Sequence, residues 1–529
     1  MRSFTGTGSL IRLALRRDRI RIPLWILGVV GFTISFLPSL PDLYPTAAAR
    51  QGRALLLENP AAVAMSGPGY GRDAYTFGAM IANEFLAYTA ILMAIMSVIL
   101  VVRHTRAEEE SGRAELVRAA VVGRHAGVAA AVTVVVLLNL VIGLLLGVLM
   151  PATLDSLSAT SCLLFGMSLA GVGITFAGVG AVAAQLTFGS RTATGIGMAT
   201  VGFAYVARAV GDVSAEPVAW LSPIGWAHRT KSFVDDRWWP LAVPVAVAAV
   251  LILTALILST RRDVGSGLMH PRLGRATASP HLTGVIALAW RLQRGSLIAW
   301  AVGLSVLGLM YGSVVPEVRS FVASNEVVAE AFAQGGADPV MSFFAVVVSM
   351  ISMIAGGFVV HSVIRLRGEE TTLRADPLLA TVVTRMRFIA GPLTVATVGA
   401  VVILVAACTA TAVSAGVAGG DWSAGGDVIV AGLLHIPALW LVAAVAVTLY
   451  GWAPKLMSLA WLIPAYAVVV GMLGVFLNLP DVMLWLSPFD HVPQSLVEDV
   501  SAVPLLVMVV ATVALTALGV YGFRRRDLA

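Results

Sequence analysis

Runs of about 20 consecutive apolar residues recur along the whole chain, the length a helix needs to cross the hydrocarbon core of a bilayer. Lipid cannot satisfy free backbone N–H and C=O groups, so each run is expected to be helical. A membrane barrel would alternate apolar and polar residues, and these runs do not. Twelve spans are expected, at about 22–40, 77–102, 127–150, 160–186, 193–210, 239–259, 297–315, 340–363, 389–415, 427–450, 457–477 and 501–522. Composition agrees: 58% of residues are hydrophobic and 12% charged, against about 25% charged in a soluble globular protein. The fold class expected is an all-α polytopic membrane protein.

Charge gives the runs an orientation. With the N-terminus inside, 27 of the 35 Lys and Arg residues fall on the inner side, and 19 of the 29 acidic residues fall outside. The positive-inside rule therefore puts both termini in the cytoplasm of a multi-pass plasma-membrane protein. It also accounts for the net charge of +6, so no nucleic-acid partner is inferred. Ser9 to Ile22 interleaves Arg12, Arg16, Arg17, Arg19 and Arg21 with Ile11, Leu13, Leu15 and Ile20. This suits an interfacial helix lying on an anionic leaflet. The apolar run that follows is longer than a signal-peptide core of about 7–15 residues, so an uncleaved first span is expected rather than cleavage near Ala47-Ala48-Ala49. Cys162 and Cys408 sit inside apolar runs and form neither a metal spacing nor a disulfide framework.

The densest charge in the chain occurs twice. Arg103 to Arg124 reads RHTRAEEESGRAELVRAAVVGR, and Arg365 to Arg387 repeats its grammar at an offset of 261. Arg106, Glu108, Glu109 and Arg113 match Arg367, Glu369, Glu370 and Arg374. Glu110, Gly112 and Glu115 change to Thr371, Leu373 and Asp376. Near the start of each half, Ile11 to Arg16 resembles Ile286 to Arg291; near the end, Trp220-Leu221-Ser222-Pro223 matches Trp485-Leu486-Ser487-Pro488. A duplication follows: a first six-helix half at 1–260, a cytoplasmic linker at 261–285 and a second half at 286–529. Six spans is an even number, so the halves enter with the same orientation and are expected about a pseudo-two-fold axis along the membrane normal.

An energy source is harder to find. Neither lysine, Lys231 nor Lys455, stands in a phosphate-binding Gly-Lys-Ser or Gly-Lys-Thr. No nucleophile elbow or zinc-protease motif appears, so no catalytic residue and no metal site is assigned. Gradient-driven carriers usually keep ionisable groups inside their spans. Here few lie deep: Glu84, Asn139 and His435 are candidates for a substrate path, although helix-to-helix hydrogen bonds explain each as well. The two charged loops occupy one topological position in both halves, which suits two docking sites for a two-fold partner. Glu109 with Arg113 and Glu370 with Arg374 are spaced as i,i+4 pairs of a short helix. Trp220, Ser222, Pro223 and Trp226, with Trp485, Ser487 and Pro488, mark paired outer segments that either gate an exit or anchor at the interface.

Six spans per half, a charged loop after the second and a short helical segment before the sixth resemble the ABC-2 type exporter permeases. More narrowly, TRAEEESGRAELVRAAVVGR and WLSPIGWAHR are similar to segments of the actinobacterial polyketide-antibiotic (tetronasin-type) exporter permeases, single chains of two fused halves. The resemblance implies a separately encoded ATPase, in two copies, holding the ATP and Mg that this chain does not bind. It also implies outward movement of lipophilic or amphiphilic compounds such as antibiotics through the membrane. Carried over by position, Arg106, Glu108, Glu109, Glu110 and Arg113, and Arg367, Glu369, Glu370 and Arg374, would couple to that ATPase. The alternatives are a gradient-driven twelve-span drug carrier and a membrane-embedded enzyme or scaffold.

Overall fold

The structure, a computed structural model, describes all residues except 1–2, 56, 58–59, 215, 264, 270–275, 278, 325–337, 474–479, 498–499 and 528–529. Parts of the expected linker, of the expected eleventh span and of the second outer segment therefore lie outside the described residues. The chain forms two units, Met1–Gly274 and Arg275–Ala529. Twelve helices are long and apolar enough to cross a membrane, and no strand occurs among the described residues.

In the first unit the helices that carry the argument are α1 (Thr7–Arg17), α2 (Arg21–Ile34), α3 (Ala47–Leu55), α4 (Phe77–Glu84), α5 (Leu86–His104), α6 (Arg106–Glu110), α7 (Arg113–Arg118), α8 (Ala126–Thr153), α9 (Ala159–Leu186), α10 (Ser190–Val213), α11 (Pro223–Arg229) and α12 (Ala242–Thr260). The core is centred on α9, which packs against α5, α8 and α12. Small residues permit this without a hydrophobic drive between helices. A Cβ on Gly143 of α8 would lie 2.6 Å from the Gly166 carbonyl of α9, and one on Gly147 would lie 3.0 Å from Leu163 Cα.

In the second unit they are α13 (Val285–Gly312), α14 (Pro339–Thr371), α15 (Ala375–Leu379), α16 (Arg385–Gly419), α17 (Gly425–Leu434), α18 (Ile436–Trp452), α19 (Leu462–Leu473), α20 (Asp481–Trp485) and α21 (Ala502–Arg525). Here α13 lies along α16, and α18 along α21. Again glycines set the approach: Gly308 and Gly312 of α13 face the backbone of Ala407 and Thr411, and Gly451 of α18 faces Gly519 of α21.

Three sequence expectations are corrected. The second span does not run unbroken from 77: α4 ends at Glu84, Phe85 separates the helices, and the helix long and apolar enough to span begins at Leu86. The seventh span starts not near 297 but at Val285, because nothing between Val285 and Gly312 breaks the helix and arginine stems can reach outward from Arg291 and Arg294. The eleventh opens as a 3-10 helix at Pro454–Trp461 before α19.

Candidate functional site

The charged loop of the first unit is folded by its own breaks. Thr105 leaves helical geometry after α5, with its hydroxyl donating to the Val101 carbonyl at 2.7 Å. Then α6 runs for five residues, and Gly112, at φ 73°, turns the chain into α7. That left-handed residue ends one helix before the next begins, so Glu109 and Arg113 do not share a helix face. The expected i,i+4 pair is absent.

Glu109 is instead gripped by the residue that follows the last span of its half. Arg262 reaches it with both guanidinium nitrogens, Nη2 to Oε1 at 2.6 Å and Nη1 to Oε2 at 2.7 Å. Arg106, only 1% exposed, adds Nη1 to Oε2 at 2.6 Å. It also donates to the carbonyls of Phe188, at 2.8 Å, and Ser266, at 2.8 Å, and so ties the loop to the chain beyond α9 and beyond α12. The remaining acidic residues also turn toward the bundle. Glu108 accepts from Arg17 of α1 at 2.6 Å, and that bond, with the two charges, raises the Arg17 pKa. Glu110 accepts from the backbone N–H of Ser190 at 3.1 Å, at the N-terminus of α10, where the helix dipole favours an anion. Arg113, Glu115 and Leu116 face solvent, the last 77% exposed.

The second unit repeats the central contact and changes its surroundings. Arg526, following α21, grips Glu370 through Nη1 to Oε1 at 2.7 Å and Nη2 to Oε2 at 2.6 Å. Its guanidinium lies over the rings of Tyr450 and Phe523. Here α14 continues unbroken through Glu369 and Glu370 to Thr371, and the turn into α15 is made by Leu373 at φ 58°. Leu373 stands where the first copy has Gly112, in a conformation that disfavours a side chain. Arg374 is not paired with Glu370 either; Leu373, Arg374 and Asp376 are exposed. Glu369 sits 3.9 Å from Arg365, and Arg367 Nη1 has no hydrogen-bond partner among the described residues. The basic ends of the two halves match in sequence, but sequence reasoning did not pair them with the glutamates. The missed signal is that glutamate and arginine keep their places in both copies.

The outer segments share a local design. Ser222 accepts from the N–H groups of Ile224 and Gly225 at the start of α11, with Pro223 at its first position. Trp226 Nε1 donates to the Trp220 carbonyl at 2.6 Å. In the second copy Phe489 N–H donates to Ser487, beside Pro488, and His491 Nε2 donates to the Trp485 carbonyl at 2.7 Å. The copies differ in depth: Trp220 is half-buried and its counterpart Trp485 exposed, and Trp226 is buried where His491, in its place, is half-buried. Within α11, His228 is buried. Burial, with Arg208 and Arg229 close by, pushes its pKa well below the usual value.

Each of the three substrate-path candidates is engaged by neighbours in its own unit. Glu84 accepts a bidentate contact from Arg53 of α3, at 3.1 and 2.8 Å. Asn139, fully buried in α8, donates to Ser97 Oγ of α5 at 2.9 Å. His435, between α17 and α18, has Nδ1 2.8 Å from the Ala431 carbonyl and Nε2 3.3 Å from Ser349 Oγ. No group of three or more potential metal ligands occurs among the described residues.

Residues 8–258 and 282–524 match the family described as "Multidrug efflux system permease Rv1217c, C-terminal domain". The chain is also 37% identical, over 532 residues, to a Mycobacterium tuberculosis protein named multidrug efflux system permease protein Rv1217c. That alignment covers 99% of this chain and 96% of the relative.

Proposed function

Because the chain belongs to the family of Rv1217c multidrug efflux permeases, we propose that it is the membrane subunit of an ATP-driven exporter of lipophilic or amphiphilic compounds. A transport role follows from the family; the ATP-driven, ABC-2 type mechanism is our reading. It is carried by one observation: each half clamps its charged loop to its own last span through a bidentate Glu–Arg pair. A loop fixed in this way moves with its helix bundle. Force applied at the loop reaches the spans instead of being lost in a flexible segment.

In this mechanism two copies of a separate ATPase, carrying ATP and Mg, sit beneath the two loops on the cytoplasmic side. Closure of the ATPase dimer pushes on the exposed residues of α7 and α15 and on the adjoining turns. Glu109, Glu370 and Arg106 pass the displacement inward, and the halves rock to release the compound outward. Arg113 and Arg374 provide charge at the contact, and Leu116, Leu373 and Val382 provide exposed apolar surface, Val382 being 89% exposed. The unequal turns make the two contacts inequivalent. Trp220 and Trp485 and their neighbours form the outer gate.

The test is co-purification of the chain with its ATPase and measurement of stimulated ATP turnover. Arg113→Glu with Arg374→Glu, both at exposed positions, is expected to weaken association at least about tenfold, as charge reversal at a contact does, with the permease still folded. Unchanged association and turnover would defeat the docking assignment. If a proton uncoupler stopped efflux while ATP was maintained, the chain would be a gradient-driven carrier.

A further inference from the structure

A cavity of about 130 Å³ opens between α1, the charged loop and the starts and ends of the neighbouring spans. Leu10 and Leu13 of α1, Val117 of α7 and Val128 of α8 line its apolar side. Its polar side holds four arginines and two glutamates. Two of those arginines are neutralised by the two glutamates, Arg17 by Glu108 and Arg262 by Glu109. The other two, Arg113 and Arg124, make no ion pair among the described residues; Arg124 donates to the Thr260 carbonyl. The cavity thus carries two uncompensated positive charges over a greasy wall. We infer that it is a binding site for the headgroup of an anionic phospholipid, taken from the leaflet on the side of the charged loops.

Three features favour this occupant. The volume is below the roughly 300–1,000 Å³ of pockets that enclose drug-sized ligands, so a headgroup can enter while the acyl chains stay in the bilayer. The wall is α1, an amphipathic helix whose exposed side carries Arg12 and Arg16 beside Leu15, the pattern of a helix lying in the headgroup layer. Basic residues at that depth attract anionic lipid. Gly127 marks the entrance. A Cβ built there meets nothing within 4 Å, so the space beside the first turn of α8 is open. The inference rests on the membrane placement of the loops proposed above and not on the ATPase; Arg113 serves both ideas, but Arg124 and Gly127 serve this one alone, so either can fail without the other.

The test uses the full chain in vesicles of phosphatidylcholine containing phosphatidylglycerol with a photoreactive headgroup. Crosslinked peptides are read by mass spectrometry. Labelling is expected on α1, α7 and the start of α8, and it should fall at least about fivefold in R113Q/R124Q, whose charges the lipid would lose. Gly127→Phe should lower it comparably by filling the entrance. R12Q/R16Q removes the same charge from the exposed side of α1 and should retain the labelling. Equal labelling by a photoreactive phosphatidylcholine would overturn the proposal. So would loss of labelling in R12Q/R16Q alone, which would mark general surface attraction. Full competition by millimolar inorganic phosphate would assign the site to a free anion instead. Should Gly127→Phe fail to fold, the arginine pair decides.

Discussion

The loop face of the first half is built from broken helices, and that of the second from continuous ones. In the first, α1 stops at Arg17 and α2 begins at Arg21. Between them Asp18 is fully buried, accepting from Arg21 at 3.2 Å and from Arg103 at 3.3 Å, with His104 Nε2 2.7 Å away. In the second half the matching stretch is the single helix α13. Gln293 stands where the repeat would place Asp18; it is buried, and its Oε1 has no hydrogen-bond partner among the described residues. The same contrast recurs in the loops, where α5 breaks at Thr105 and α14 does not break until Thr372. Yet the Glu–Arg clamp is present in both. The contact that fastens loop to bundle is kept in both halves, and the hinges around it differ.

Removing a clamp should have the largest effect. Glu109→Ala leaves Arg262 and the buried Arg106 without their carboxylate, and breaking a buried pair from one side costs about 3–5 kcal/mol. Glu370→Ala should cost less, because Arg526 retains two aromatic rings and Arg106 has no equally buried counterpart. Thermal unfolding of the purified chain reads both. Equal losses would break the comparison; exchanging the partners, Glu109→Arg with Arg262→Glu, should recover part of the loss.

The buried acid is the next test. Asp18→Asn removes the anion that holds Arg21, Arg103 and the ring of His104, for a loss of about 1–3 kcal/mol. Gln293→Leu removes an amide oxygen that satisfies nothing and should be neutral or stabilising. Protease cleavage between α1 and α2 would expose the difference: faster in Asp18→Asn, unchanged in Gln293→Leu. Similar behaviour at the two positions would mean that the break in the first half does not depend on Asp18.

The smallest effect concerns the turns. Leu373→Gly should stabilise by about 1 kcal/mol, since a leucine with positive φ carries a steric cost that glycine avoids. Gly112→Leu should destabilise by a similar amount. Unfolding midpoints of the two variants should therefore move in opposite directions, and movement in the same direction would refute the equivalence of the turns.

Much of this was legible in the sequence, and the reason is the solvent. A bilayer demands long apolar helices, so eight of the spans could be placed to within a few residues, and the charged loops stood out against them. The duplicated Trp-Leu-Ser-Pro segment folded alike because its contacts are local: a hydroxyl cap and a ring nitrogen reaching back six residues. The clamps were not legible. Glu109 and Arg262 are 153 residues apart, and a loop rich in charge offers nearer partners that helical spacing favours. Only the tertiary fold selects among them. The extension of α13 was missed for the opposite reason, because arginines at 291 and 294 read as an end of the membrane segment when they lie within one helix. Glu84 was legible as an outlier but not as the partner of Arg53, which comes from a different helix.

The clamp also bears on how such a chain is made. Glu109 is synthesised before the four spans that separate it from Arg262, and Glu370 likewise before those preceding Arg526. Each pair can close only if an even number of crossings lies between its members. Were one of those spans to fail to insert, the arginine would emerge on the opposite side of the bilayer and the glutamate would have no cation to meet. Closure of each ion pair therefore reports that its half has been threaded correctly, and a misthreaded half would present an open, charged loop to the quality-control proteases of the cell.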